Sequence, residues 1–304
     1  MSKRIQEIIS WYESDCPGTL AKLYRMLNTG LLAGSGRLLI LPVDQGFEHG
    51  PAKSFAANPE GYDPRYHLEL AIEAGCSAYA CPLGFMEAVA RQAAGRIPLI
   101  LKINSHETLI QDPDSLPAES AGIDDALRLG CDAIGFTIYP GSAHAHDGYG
   151  QLAELAAQAK SCGLAVVVWS YPRGSHLAEE SQSAVDVVAY AAQIAAQLGA
   201  HIIKVKPPLP NFSGKKAAEF YKQNKIKTRS TAQRIRHVVQ ACFNGRRIVI
   251  FSGGAKMGDR EFLDLAAGIK KGGGFGSIMG RNLFQRPKNE ALKLVKAVAQ
   301  VYAK

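Results

Sequence analysis

Eight short β-type runs alternate with helical stretches along the chain, and this alternation restricts the fold more than any other feature of the sequence. The runs are apolar and rich in branched side chains, and glycines stand where a helix must end before the next strand. Strands are predicted at 37–44, 77–82, 97–104, 132–140, 164–174, 201–208, 247–254 and 275–283. Helices are predicted at 64–74, 84–94, 123–129, 151–161, 184–198, 231–243, 260–270 and 289–302.

Eight consecutive β–α units predict an α/β fold, a closed (β/α)₈ TIM barrel. An open doubly wound sheet is the alternative, but it would leave two edge strands, and none of the eight has the polar character of an edge. The 304 residues fit one barrel with extensions. We expect a single domain over residues 1–304, with a helical N-terminal extension at 1–30 and a long loop at 207–230 after the sixth strand.

Composition excludes several classes of protein. Hydrophobic residues make up 47% and charged residues 20%, which is ordinary for a globular chain and excludes a disordered or fibrous one. No stretch approaches the roughly 18 apolar residues of a membrane span, and the N-terminus lacks a signal-peptide pattern. Six cysteines without a CxxC pair indicate reduced thiols. We therefore expect a cytoplasmic protein without membrane contact.

The net charge of +8 favours anionic ligands, either phosphorylated metabolites or nucleic acid. Much of the charge lies in one stretch, where a single acid, Glu219, accompanies Lys215, Lys216, Lys222, Lys225, Lys227, Arg229, Arg234 and Arg236. No recognised nucleic-acid motif accompanies this stretch. A nucleic-acid partner is therefore not expected. The segment 207–230 contains six of these basic residues and leaves the sixth strand at the barrel mouth, so we consider both a lid over the site and a solvated loop or oligomer contact.

Active sites of such barrels lie at the carboxyl ends of the strands, so polar side chains there are candidates. The first strand ends with Asp44, which is followed by Gln45. Lys102 lies near the end of the third strand, where a lysine is costly unless it faces a polar cavity. Both ends predict functional side chains at the mouth.

The fifth strand is predicted to end in the sequence WSYPRG, which also contains Ser170. A period of two residues places Trp169, Tyr171 and Arg173 on one face. An aromatic floor, a phenol and a guanidinium that project together suggest a sugar-phosphate site.

The sixth strand carries two lysines, Lys204 and Lys206, on one face, while Ile203 and Val205 take the other. Two like charges in a mouth of low dielectric constant lower the pKa of one lysine toward the neutral amine. A neutral amine is the nucleophile that imine chemistry requires.

Glycine-rich turns follow the seventh and eighth strands, where many barrels bind phosphate through backbone N–H groups. They contain Ser252, Gly253 and Gly254 in one case, and Gly280 with Arg281 in the other. The guanidinium adds a bidentate cation. The candidate metal ligands are His144, His146 and Asp147, in a polar turn that we expect to be exposed to solvent. No third histidine lies at a neighbouring strand end, so no metal is expected.

Seven stretches together resemble the class I fructose-1,6-bisphosphate aldolases of the archaeal type, the DhnA family, and most of all its bacterial branch. They are VDQGFEHGP (43–51), PLILKIN (98–104), TIYPGS (137–142), VVWSYPRG (167–174), GAHIIKVK (199–206), FSGGAK (251–256) and MGRNLFQR (279–286).

The resemblance implies a role for each matching residue. Lys204 matches the Schiff-base lysine, Tyr171 the proton donor and acceptor, Trp169 the aromatic residue beside it, and Asp44 the aspartate of the first strand. The expected substrate and phosphate contacts are Gln45, His49, Lys102, Ser170, Arg173, Lys206, Ser252, Gly253, Gly254, Gly280 and Arg281. Gln45 departs from the archaeal pattern, which usually has histidine there.

The implied activity is the reversible cleavage of fructose 1,6-bisphosphate to dihydroxyacetone phosphate and glyceraldehyde 3-phosphate in glycolysis and gluconeogenesis. The resemblance implies a lyase without metal or cofactor, acting on sugar phosphates as a high-order homo-oligomer. Two related chemistries keep the same lysine and phosphate site: an autoinducer thiolase and a transaldolase-type aromatic-precursor synthase. The EHGPAKSF and WSYPRG stretches favour the aldolase. A metal-dependent aldolase lacks ligands in this sequence.

Overall fold

Eight parallel strands close into a barrel in the computed structural model, which describes residues 2–254 and 257–303. In chain order they are β1 (Leu38–Pro42), β2 (Ala78–Pro82), β3 (Leu99–Lys102), β4 (Ala133–Ile138), β5 (Ala165–Ser170), β6 (Ile202–Val205), β7 (Ile248–Ser252) and β8 (Gly276–Ile278). Each strand pairs with the next, and β8 pairs with β1. The TIM-barrel prediction is confirmed.

Fourteen α-helices occur in the described ranges. They are α1 (Lys3–Ser10), α2 (Pro17–Leu27), α3 (Gln45–His49), α4 (Pro51–Phe55), α5 (Pro64–Glu73), α6 (Leu83–Ala93), α7 (Ile123–Arg128), α8 (Ala145–Ser161), α9 (Val185–Gln197), α10 (Lys215–Gln223), α11 (Thr231–Ala241), α12 (Asp259–Lys271), α13 (Arg281–Phe284) and α14 (Lys288–Ala303). Among the described residues, no helix combines the length and apolar character needed to cross a membrane.

Several predicted boundaries were wrong for local reasons. β5 ends at Ser170 and β8 at Ile278, so the turns that follow them are not part of the sheet. α8 begins six residues before its predicted start. The glycines at 148 and 150 have low helix propensity, but the negative charge of Asp147 in the first turn favours a helix N-terminus there. The two short strands Asn104–Ser105 and Ala118–Glu119 form a hairpin beside the barrel.

The two N-terminal helices and the segment between them cover the amino ends of the strands. The Tyr12 hydroxyl donates to the carbonyl of His201 (2.7 Å) and accepts from the Ile248 N–H (3.1 Å), and these residues lie at the starts of β6 and β7. Arg25 pairs with the buried Asp132, just before β4 (3.0 Å). The barrel is therefore covered at the amino ends of its strands, and a substrate can enter at the carboxyl ends.

The stretch 207–230 contains a helix, α10, rather than the long loop predicted from its lysine-rich sequence. Leu209 N–H donates to the Ser183 carbonyl (2.7 Å), and the Tyr221 hydroxyl hydrogen-bonds to His237 on α11 (2.7 Å). Arg234 donates to the Pro208 carbonyl (2.7 Å) and is itself buried. Neighbouring helices thus hold the stretch at both ends and along its length.

Candidate active site

A polar cavity of about 230 Å³ opens at the carboxyl ends of the strands. It is lined by Pro42, Asp44, Gln45, Glu48, His49, Tyr171, Arg173, Lys204, Lys206, Ser252, Gly253, Gly254, Ile278, Gly280 and Arg281. These residues come from β1, β5, β6, β7, β8 and the turns after them. The cavity brings together all but three of the residues predicted from the sequence: Trp169, Lys102 and Ser170 are the exceptions.

Trp169 and Lys102 lie directly beneath the cavity, inside the barrel. The Lys204 ammonium is 5.2 Å from the centre of the Trp169 indole, and the Lys102 ammonium is 5.7 Å from the same centre. Lys102 is fully buried and donates to the backbone carbonyl and the side-chain oxygen of Asn104. Both residues therefore shape the surroundings of Lys204 and form no part of the cavity wall.

Ser170 was wrongly predicted as a substrate contact. Its hydroxyl donates to the Ala191 carbonyl on α9 (2.8 Å), on the outside of the barrel. Side chains alternate along a strand, so the residue after the inward-facing Trp169 points outward.

Lys204 is a buried lysine whose pKa is lowered to about 8. Burial is the main cause, and the charges of Lys102 and Arg281 lower the pKa further, whereas Asp44 and Glu48 oppose the shift. The sequence argument gave the role of the neighbouring cation to Lys206, so that assignment is corrected. A lysine with this pKa is partly a neutral amine near neutral pH, and the neutral amine is a nucleophile.

Tyr171 lies beside this amine, with its ring centre 5.2 Å from the Lys204 nitrogen and 6.0 Å from the Lys206 nitrogen. Burial and the charges of Asp44 and Glu48 raise the pKa of Tyr171 well above its ordinary value, although a hydrogen bond with Ser252 opposes the shift. The phenol is therefore protonated at neutral pH and can donate a proton to a group bound at Lys204.

Two carboxyl groups stand one helical turn apart at the first strand end. Asp44 directly precedes α3, and the Glu48 N–H donates to the Asp44 backbone carbonyl (3.2 Å). Asp44 is buried, and its Oδ1 has no hydrogen-bond partner within the described ranges. Burial, and then the charge of Asp44, raise the pKa of Glu48 to about 7. Sequence reasoning missed Glu48; its spacing of four residues from Asp44 was the available signal.

Cationic side chains and bare backbone complete the wall. The Arg173 guanidinium stacks over the Tyr139 ring, 4.5 Å from its centre. The pKa of His49 is lowered, mainly by burial and next by the charge of Arg281. Gly253 has no room for a side chain, because a Cβ would lie 2.5 Å from Phe262 Cε2. Gly254 has a positive φ of 66°. Such a wall suits a substrate that carries phosphate groups.

The last two residues of the FSGGAK motif, Ala255 and Lys256, lie outside the described residues. Within the described ranges, no group of three or more His, Cys, Asp or Glu side chains is placed to hold a metal ion. His144 Nδ1 lies 3.3 Å from Asp147 Oδ2 at the exposed start of α8.

Comparison with known proteins defines the class. The sequence-family model of the DeoC/LacD family aldolases matches residues 38–286, and the chain belongs to this family. It is 35% identical over 294 residues to the probable fructose-bisphosphate aldolase class 1 of Chlamydia muridarum, covering 93% of this chain and 84% of the relative. It is 36% identical over 272 residues to the fructose-bisphosphate aldolase class 1 of Thermoproteus tenax, covering 89% and 91%.

Solved structures give the same result. An archaeal fructose 1,6-bisphosphate aldolase superposes with a TM-score of 0.73 at 34% identity, covering 88% of this chain and 95% of that one. The fructose-bisphosphate aldolase of Slackia heliotrinireducens superposes with a TM-score of 0.78 at 26% identity, covering 94% and 85%. The resemblance to class I aldolases of the archaeal type is confirmed.

Proposed function

We propose that this protein is a class I fructose-bisphosphate aldolase, which reversibly cleaves fructose 1,6-bisphosphate through an imine on Lys204. The observation that carries the proposal is a buried lysine of lowered pKa in a cavity with two carboxyl groups, a phenol and a cationic wall. A structure described as a Schiff-base-forming fructose-1,6-bisphosphate aldolase superposes at 33% identity with a TM-score of 0.72, which supports it.

The chemistry starts at Lys204. Its neutral amine attacks the C2 carbonyl of the ketose, and loss of water gives an iminium ion. The iminium accepts the electron pair released when the C3–C4 bond breaks, while a carboxylate of the cavity wall takes the C4 hydroxyl proton. Tyr171 then protonates the resulting enamine carbon, because its phenol is protonated and lies beside the amine. Asp44, just after the carboxyl end of β1, orients the lysine.

Phosphate binding is assigned to groups that do not react. Arg281 supplies a guanidinium, and the backbone at Gly253, Gly254 and Gly280 approaches the cavity without side chains. His49, Arg173, Lys206, Gln45 and Ser252 are further substrate contacts. The binding energy of these contacts holds the C2 atom of the substrate next to the Lys204 amine. Binding at groups that do not react thus contributes to the rate by placing the reacting atoms.

We propose that neither a metal nor an organic cofactor takes part, because the iminium itself accepts the electrons. Cleavage of fructose 1,6-bisphosphate, followed through reduction of the dihydroxyacetone phosphate formed, tests the function directly. The activity should survive a chelator and should be lost in Lys204→Met. Failure of the wild-type protein to cleave this substrate would overturn the proposal.

A second activity is supported by one relative. The chain is 27% identical over 275 residues to a Methanocaldococcus jannaschii protein named fructose-bisphosphate aldolase/6-deoxy-5-ketofructose 1-phosphate synthase. That name combines an aldolase with the synthesis of a ketose phosphate, which supports a second reaction at the same site. Parallel assays of cleavage and of transfer to a second carbonyl compound separate the two activities, and an assay with a thiol acceptor tests the autoinducer thiolase.

The cytoplasm is the proposed location, because all six cysteines are free and four of them are buried. A homo-oligomer is proposed because the neighbouring residues Leu109 and Ile110 are among the most exposed large apolar side chains, at 89% and 62%. Light scattering after size-exclusion chromatography measures the oligomer size directly, and a monomer would overturn this point.

A further inference from the structure

A second cavity lies on the outside of the barrel, and the proposed function gives it no task. It measures about 450 Å³ and lies between the turn that ends α10 and the solvent-facing side of α11. Its lining includes Lys225, Ile226, Lys227, Gln233, Arg236 and His237. It shares no lining residue with the cavity at the carboxyl ends of the strands. Its volume is in the range of cavities that hold small ligands.

The lining of this outer cavity is basic and contains no acid to balance it. Lys225, Lys227 and Arg236 contribute to it, and none of its lining residues, all of them described, is Asp or Glu. The ion pairs between described residues engage other side chains, so these three cations stay unpaired within that part of the chain. Asp186, whose charge acts on His237, accepts the Ser213 N–H (3.1 Å) at the opposite end of α10.

Contacts between helices hold the two walls of the outer cavity in place. The Tyr221 hydroxyl on α10 hydrogen-bonds to His237 Nε2 on α11 (2.7 Å), and the two rings meet edge to face with centres 5.0 Å apart. Arg236 donates from one nitrogen to the Lys271 carbonyl at the end of α12 (3.2 Å). A guanidinium has five N–H groups, so most of those on Arg236 stay free for a ligand.

Lys225 has a backbone conformation that lysine rarely adopts. Its φ is 54°, in the left-handed region where glycine usually follows the end of a helix. Its N–H donates to the Lys222 carbonyl (3.1 Å) and closes the turn. A glycine at this position would adopt the turn without strain, so the lysine indicates a use for its side chain, which lines the outer cavity.

We propose that the outer cavity binds a small anion that carries a di- or triphosphate group. Three cations around one cavity match several negative charges held close together, more than a single phosphate carries. The Arg236 fork suits two phosphate oxygens at once, and the two lysines act as point charges. Ile226 and Ala241 add apolar surface for a group attached to the phosphates. The inference concerns a site separate from the proposed active site, and it stands whether or not the protein is an aldolase.

Titration calorimetry with inorganic tripolyphosphate, in the absence of metal ions, tests the site. Lys225→Gln/Lys227→Gln removes two of its cations and should weaken binding by about tenfold or more, since hydrogen bonds to charged groups contribute roughly that much. Lys215→Gln/Lys216→Gln is the matched control, because it removes the same charge from exposed positions on α10 that do not line the cavity. Its dissociation constant should stay within about twofold of the wild type.

Arg281→Ala distinguishes the outer cavity from the active-site cavity, whose wall also suits phosphate groups. Tripolyphosphate should bind this variant as tightly as the wild type. Adenosine triphosphate is the second probe: tighter binding than tripolyphosphate shows that the cavity also holds the nucleoside, and equal binding shows that it recognises the phosphate chain alone. Both results support the site.

Three results would overturn the proposal: no binding of either probe at about 1 mM, equal losses in the two double variants, or a loss confined to Arg281→Ala. Single-stranded DNA is the third probe. If it binds more tightly than tripolyphosphate and both double variants weaken it equally, the basic surface is an extended nucleic-acid face, which also overturns the proposal. Thermal unfolding and fructose 1,6-bisphosphate cleavage in the absence of polyphosphate should match the wild type in both double variants, which shows that they are folded.

Discussion

Lys204 and Trp169 are direct partners across β6 and β5, and the ammonium lies 5.2 Å from the centre of the indole. The indole shields the amine from water from below, and burial is the main cause of the lowered pKa of Lys204. The reactivity of the lysine therefore depends on a residue that does not line the cavity.

Lys204→Met should abolish imine formation, because Lys204 is the buried amine in the cavity whose pKa is lowered to about 8. Borohydride added with dihydroxyacetone phosphate should reduce the imine and tag the peptide that contains Lys204, as peptide mass mapping will show. Lys206→Met is the control, since Lys206 lies nearer the mouth and is assigned to substrate binding. A tag of full yield in Lys204→Met would refute the assignment.

Tyr171→Phe should keep imine formation and lose turnover. The ring remains beside the amine, whereas the proton that the phenol supplies to the enamine is missing. A loss of kcat of about 10² to 10⁴ is expected, with borohydride trapping close to the wild-type level. An unchanged kcat would remove Tyr171 from the mechanism.

Arg281→Ala should mainly raise KM for phosphorylated ketoses, because its guanidinium is assigned to a phosphate that does not react. The measurement compares kcat/KM for fructose 1,6-bisphosphate with kcat/KM for an unphosphorylated ketose. The expected loss of kcat/KM on the bisphosphate is about tenfold or more, with little change on the unphosphorylated compound. Equal losses on both substrates would contradict the role.

The barrel could be predicted from the sequence because each strand is a short apolar run with its own helix. Most of the site followed, since position at a strand end and side-chain chemistry are both visible in the sequence. Glu48 did not follow, because its placement depends on α3, a five-residue helix inside a segment that was expected to be irregular. Local sequence carries little signal for a helix of that length.

α10 was missed for a different reason. It is short and buries no residue, and its position comes from contacts with distant residues such as His237. None of the residues 207–230 lines the central cavity, although Leu209, Pro207 and Pro208 line a neighbouring one. The lid expected from the charge of this stretch therefore finds no support in the geometry.

Gly135→Ala should damage the site without touching substrate. A Cβ at this position would lie 2.7 Å from Trp169 Cζ3, so the indole must shift, and the shielding of Lys204 shifts with it. We expect a loss of about 1–3 kcal/mol of stability and a lower kcat. Gly150→Ala on α8 is the control, because nothing lies within 4 Å of its Cβ; alanine there should keep kcat and stabilise the helix.

Protonation of His201 should make the stability of the protein depend on pH. His201 lies at the amino ends of the strands, at the opposite end of the barrel from the site. Its Nδ1 accepts the Val166 N–H (2.9 Å) and its Nε2 lies 3.0 Å from Asp15 Oδ2, so the buried imidazole is neutral with its proton on Nε2. Burial lowers the pKa of His201 below its ordinary value, although Asp15 opposes the shift. As the pH falls below about 6.5, the unfolded chain takes up a proton that the folded protein refuses, so stability is lost toward acid pH.

The slope of this dependence is at most about 1.4 kcal/mol per pH unit for one group. Urea unfolding at pH 7.5 and 5.5 measures it, and His201→Asn, whose Oδ1 can still accept the Val166 N–H, should flatten the slope while lowering stability at pH 7.5. His67, whose pKa is lowered to about 4 by burial, acts in the same direction and cancels in the difference between the two proteins. The kcat of His201→Asn should equal that of the wild type, because His201 lies at the amino end of β6. Parallel pH profiles for the two proteins would show that the lost stability comes from groups other than His201.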